Sequence, residues 1–167
     1  MNTSRVVDDK IATGFFYPNA TEDKEGYYAH RKATRRGGYD ALNLFFFSDL
    51  GWPALGGRCT FPIPSSERTD YNVTMDGCLV NGLTMPGMST AAKEHNGNIA
   101  VHEAGHWFNL LHTFSGGPCD PINDEVDDTP AQGDPTMGGC PVGKDTCPDI
   151  EGLDPIHNYM DYSDDTW

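Results

Sequence analysis

Basic side chains are scarce in this sequence: 11 Lys and Arg stand against 25 Asp and Glu in 167 residues, a formal charge of −14. Such a surface repels a phosphate backbone and an anionic bilayer, which argues against nucleic acid and membrane as partners. Long apolar runs are missing too. None approaches the length that spans a bilayer, and residues 1–20 lack the basic start and apolar stretch of a signal peptide. The address is expected to have been removed, or the sequence begins inside a longer protein. Internal repeats and low-complexity linkers are absent as well. The expectation is one globular, monomeric unit over residues 1–167, with residues 1–34 its least defined part.

What is present points outward. The hydrophobic fraction of 37% lies above the disordered class. Asn2-Thr3-Ser4, Asn19-Ala20-Thr21 and Asn72-Val73-Thr74 are glycosylation sequons, and five cysteines sit in polar, Gly/Pro-rich stretches. Together they favour an oxidising compartment and a secreted protein. The acid is unevenly placed: residues 1–83 hold 9 basic and 10 acidic side chains, residues 84–167 hold 2 and 15. A solvated acidic surface and oxygen-lined calcium loops both fit that skew.

Along the chain, a helix is expected around Lys24 to Arg36, with Arg31, Lys32, Arg35 and Arg36 as a solvated basic face rather than a nucleic-acid patch. Ala41 to Phe47 reads as a buried central strand, and Arg58 to Phe61 and Cys78 to Val80 as further short strands. From Gly97 to Leu111 the period turns helical through Ile99, Ala100, Trp107 and Phe108, with Asn96 or Asn98 as the cap. Beyond His112 the chain is rich in Gly, Pro and Asp. A structureless stretch of that length in a compact domain is functional, metal-bound or cross-linked.

His102-Glu103-Ala104-Gly105-His106 places two imidazoles four residues apart on one helix face, where both reach one ion. Zinc in a catalytic site takes three protein ligands and keeps a position open for water. His112 is the natural third ligand, yet six more residues of helix would carry it about 9 Å along the axis and onto another face. The helix must therefore stop between His106 and His112. Asn109 stands at the required break, and Asn enters the left-handed conformation that ends helices more readily than other non-glycine residues.

His102 through His112 resembles the long metzincin signature, and the following Thr113-Phe114 resembles the pappalysin-like, or cytophagalysin, family of zinc metalloendopeptidases. Asn158 to Asp165 looks like that family's Met-turn, and Asp124 to Pro130 and Asp145 to Pro148 match loops between the two. The resemblance implies an α+β, zincin-like fold: a small twisted mixed sheet, the active-site helix above a cleft, and an irregular disulfide-linked lower part. It implies a secreted endopeptidase acting on polypeptides, with His102, His106 and His112 on zinc and Glu103 as general base. Met160 would form an apolar floor without ligating, Tyr162 would stabilise the oxyanion, and Asp124, Asp127 and Thr129 would hold calcium. It pairs Cys119 with Cys147; proximity of the strands pairs Cys59 with Cys78. Cys140 is left unpaired, the family having a cysteine where Trp167 stands. Because the family continues beyond the Met-turn and this sequence ends seven residues after Met160, a truncated domain is expected. Substrate is expected to pair with an edge strand near Arg58 to Phe61. His95 and His157 read as exposed bystanders. The rivals are a non-catalytic binding module stabilised by calcium and zinc, and a zinc hydrolase with an acidic ligand in place of His112.

Overall fold

The computed structural model describes residues 24–48, 50, 55–88 and 95–164. The sequons at Asn2 and Asn19 lie outside these residues, as do residues 1–23 of the N-terminal part. The fold is α+β. Three strands, β1 (Leu44–Phe47), β2 (Gly57–Cys59) and β3 (Cys78–Asn81), form a mixed sheet in the order β1-β3-β2. β1 runs parallel to β3 with Leu44 opposite Cys78, and β2 runs antiparallel with Cys59 opposite the same Cys78. The Cys59–Cys78 disulfide joins that facing pair. Helix α1 (Lys24–Thr34) and the short helix α2 (Asp70–Met75) precede β1 and β3 respectively, and α3 (Asn98–Trp107) follows.

Side chains on a strand alternate between faces. Leu79 on β3 joins Tyr27, Phe45, Phe47, Leu50 and Met75 in one cluster, while Cys78 and Val80 face the other way, onto Ile99, Ala100 and Trp107 of α3. α3 lies across β2 and β3. On β1, Leu44 and Phe46 share the α3 face of the sheet through their register with Cys78 and Val80, but α3 does not reach them, and they stay 40% and 45% exposed. The run from Ala41 to Phe47 is thus an outer strand among the described residues, and β3 is the central one. Its aromatic content reflects one packed face, not two.

The basic face of α1 also departs from expectation. Arg31 is 1% exposed, and its guanidinium lies 3.7 Å from the centre of the Phe45 ring while donating to Met75 O and Asp76 O, both at 2.9 Å. Arg35 pairs with Asp76 Oδ2 at 3.1 Å, both side chains nearly inaccessible. Lys32 and Arg36 are the exposed members, Lys32 reaching Asp70 at 2.9 Å. Buried Asp76 is a hub: its Oδ1 also accepts Thr60 Oγ1–H at 2.9 Å and Trp107 Nε1–H at 3.0 Å. One carboxylate thereby ties the residue after α1, the residue after β2 and the last residue of α3. Asn72 lies in α2, its side-chain amide donating to Glu67 O at 2.8 Å.

After His112 the described chain holds no helix or strand up to residue 164. It is cross-linked by Cys119–Cys147, and Cys140 is free and half-buried. The two expected pairings, Cys59–Cys78 and Cys119–Cys147, are the ones present.

Candidate active site

α3 begins at Asn98 with Gly97 in the cap position at φ 86°, so neither Asn96 nor Asn98 supplies a side-chain cap. It ends where the metal spacing demands. Asn109 takes φ 71°, its N–H donates to His106 O at 2.9 Å, and Leu110 N–H reaches back to Gly105 O at 2.9 Å. These two bonds are the left-handed helix stop that satisfies the last carbonyls. The chain then reverses and returns His112 to the helix: His112 Nε2 lies 3.2 Å from His102 Nε2 and 3.0 Å from His106 Nε2.

Two of the rings have their tautomer set by the backbone. His102 Nδ1–H donates to Tyr159 O at 2.6 Å, and His106 Nδ1–H donates to Leu110 O at 2.8 Å. With Nδ1 protonated, each Nε2 presents a lone pair to the common point. Burial holds His102 below its ordinary pKa and pushes His112 to about 4, helped there by the two neighbouring imidazoles. Those two rings are therefore neutral, the form that ligates. Three converging nitrogens, two of them on rings whose far sides are anchored to backbone carbonyls, fit a zinc ion. Among the described residues this is the group of His, Cys, Asp and Glu donors that could hold one.

Glu103 follows the first histidine and is buried beside it. Its Oε2 has no hydrogen-bond partner, and burial lifts its pKa to about 8 against the downward pull of Arg58 and the Cys59 N–H. Gly57 makes room for it: a Cβ there would fall 2.6 Å from Glu103 Cγ. Met160, 4% exposed, packs beneath the helix at Gly105, where a Cβ would sit 2.4 Å from its sulfur. Tyr162 stands at the rim, 43% exposed, with its ring centre 4.8 Å from that of His112 and 5.6 Å from that of His102. Burial, then the Glu103 charge, raises its pKa and keeps the hydroxyl protonated. The three histidines, Glu103, Gly57 and Tyr162 line a cleft of about 700 Å³ bordered by β2, α3 and the 158–164 turn.

Residues 41–166 match the peptidase family described as Pregnancy-associated plasma protein-A. The chain belongs to this family. Among relatives of this pappalysin-like chain, an extracellular metalloprotease of Pyricularia oryzae is 50% identical over 141 residues, covering 84% of this chain and 47% of the relative. One from Verticillium alfalfae is 52% identical over 135 residues, covering 81% and 47%. The chain thus spans about half the length of the curated relatives it matches. Mature mirolysin of Tannerella forsythia, solved with a cleaved peptide, superposes with a TM-score of 0.60 at 27% identity, covering 76% of this chain and 46% of that one. The metzincin fold expected from the motifs is the fold observed.

The other expected site residues differ in burial. Asp124 is buried and accepts Val126 N–H at 3.1 Å, Asp127 is exposed and Thr129 half-buried. His157 is exposed as expected, whereas His95 is half-buried and lines the cleft. Its place four residues before α3's Ile99 puts it at the cleft mouth rather than in solvent. Sequence reasoning named Phe61 in an edge strand and Phe114 in the family signature but missed their contact with the histidines: their rings lie 5.1 Å from His106 and 4.9 Å from His112. Phe114 was findable as the second residue after the last histidine. Phe61 was not, because it reaches the histidines only through the fold.

Proposed function

We propose that this chain is the catalytic core of a secreted zinc metalloendopeptidase that hydrolyses internal peptide bonds. The observation that carries the reading is the convergence of three Nε2 atoms beside the buried, unpartnered Glu103 Oε2. His102, His106 and His112 would hold the zinc. Bound there, zinc supplies a Lewis acid for the scissile carbonyl and lowers the pKa of a bound water. Glu103 Oε2 takes the proton of the attacking water and returns it to the leaving amine; its raised affinity for a proton suits that exchange. The Tyr162 hydroxyl donates to the developing oxyanion. Substrate lies extended along the outer edge of β2, whose other edge is paired with β3. A calcium ion at Asp124, Asp127 and Thr129 is the finer part of the proposal; it rests on the family resemblance, and predicts a thermal midpoint that rises with added calcium.

The test compares zinc content and cleavage of an unfolded protein by this chain and its Glu103→Ala variant. The expected result is about one zinc in each, as a single site requires, with cleavage by the parent only. Zinc without cleavage by either would favour the non-catalytic module. A folded parent without zinc would remove the ligand role of the three histidines.

A further inference from the structure

α3 fixes His102 and His106, but His112 lies beyond the helix stop, and the helical ladder does not hold it. The next residue, Thr113, is 0% exposed, and its Oγ1–H donates to Gln132 Oε1 at 2.6 Å. Gln132, equally buried, turns its amide nitrogen the other way and donates to Asp161 Oδ1 at 3.0 Å and to Asp134 O at 3.0 Å. Asp161 follows Met160 and also accepts Thr136 N–H at 2.9 Å. Thr113 N–H donates to Met160 O at 3.3 Å, and Asn123 Nδ2 bridges Thr113 O and Gln132 O.

We infer that Gln132 is a positioning residue for the three-histidine centre: its amide clamps the segment carrying His112 to the turn carrying Met160. The inference rests on the zinc reading of those histidines. A carboxamide suits the position because it accepts from a hydroxyl and donates to a carboxylate at once; a Glu could not donate and a Leu could do neither. Thr113, Asn123, Gln132, Thr136 and Asp161 are all buried, so the loss of a contact among them strands a polar atom, and the segments part rather than tolerate it. His112 has the turn at Asn109 on one side and this clamp on the other.

The test measures zinc affinity by competition with a chromophoric chelator, and the visible spectrum of the cobalt(II)-loaded chain. Thr113→Val keeps the volume and removes the hydroxyl donor; Thr113→Ser keeps the donor. Thr113→Val and Gln132→Ala are expected to bind zinc about 10–100-fold more weakly, the range for residues that orient ligands, and to alter the cobalt bands. Thr113→Ser restores both. If Gln132→Ala does not fold, the Thr113 pair decides. Unchanged affinity and spectrum in Thr113→Val, with only thermal stability lowered, overturn the clamp and leave the zinc reading intact. Parent-like zinc binding by His112→Ala overturns both.

Discussion

At the scale of single residues, the site depends on two missing methyl groups. Gly57 leaves space for the Glu103 side chain, and Gly57→Ala places a carbon 2.6 Å from Glu103 Cγ and 2.9 Å from its Oε1. Turnover should fall at least tenfold while zinc content stays at the parent level, because the atoms nearest the added carbon are those of Glu103; metal analysis beside a peptide-cleavage assay checks it. Gly105→Ala strikes Met160 instead. With a Cβ 2.4 Å from that sulfur, the buried Met160 must move, at a cost of about 1–3 kcal/mol for an overpacked core, read as a lowered urea midpoint. Asn109 carries the opposite kind of demand. It holds φ 71° with a side chain, so Asn109→Gly keeps the stop and the zinc, whereas Asn109→Val, β-branched, should cost about 1–2 kcal/mol and weaken the metal site. Equal thermal midpoints for the two variants would refute the strain assigned to that position. The histidines, Glu103 and the Asn109 break were legible because metal geometry and helix geometry constrain residues close in sequence. Gln132 carried no such signal: its partners lie 19 and 29 residues away.

At the scale of elements, α3 is anchored at its C-terminal end by Asp76. Asp76→Ala leaves the nearly inaccessible Arg35 without its charge partner and Trp107 Nε1–H without an acceptor. Removing one partner of a buried ion pair costs about 3–5 kcal/mol, so the variant should lose that much in equilibrium unfolding; a loss under 1 kcal/mol would mean the hub is not cooperative. Charge patterning suggested a solvated face for α1 because composition reports that an arginine is present, and not which surface meets it. Periodicity placed α3 well and overran its end by the turn that Asn109 begins. For β1, apolar residues in succession suggested burial on both faces. The sheet order decided otherwise, since a strand outside the reach of α3 keeps one face open.

At the scale of the whole molecule, the sheet and α3 hold the core, while the lower part is held by turns, buried polar networks and Cys119–Cys147, which spans 28 residues. Replacing that pair by Cys119→Ser with Cys147→Ser should lower stability by about 2–4 kcal/mol. Limited proteolysis of the variant should cut within residues 114–158 before it cuts the sheet. Indiscriminate cleavage across both parts would show that the two melt together. The existence of this irregular region followed from its composition; its internal order did not, because side-chain-to-backbone bonds at varied spacings leave no period to read. One consequence concerns the order in which the chain is made. The first histidine receives its Nδ1 acceptor from Tyr159, 57 residues downstream. Synthesis runs from the N-terminus, so α3 can coil early yet lacks the partner that fixes its leading imidazole until the Met-turn has left the ribosome. Until then the three imidazoles are present in the chain without the contact that orients the first of them, so the centre is completed by a segment made well after the helix that begins it.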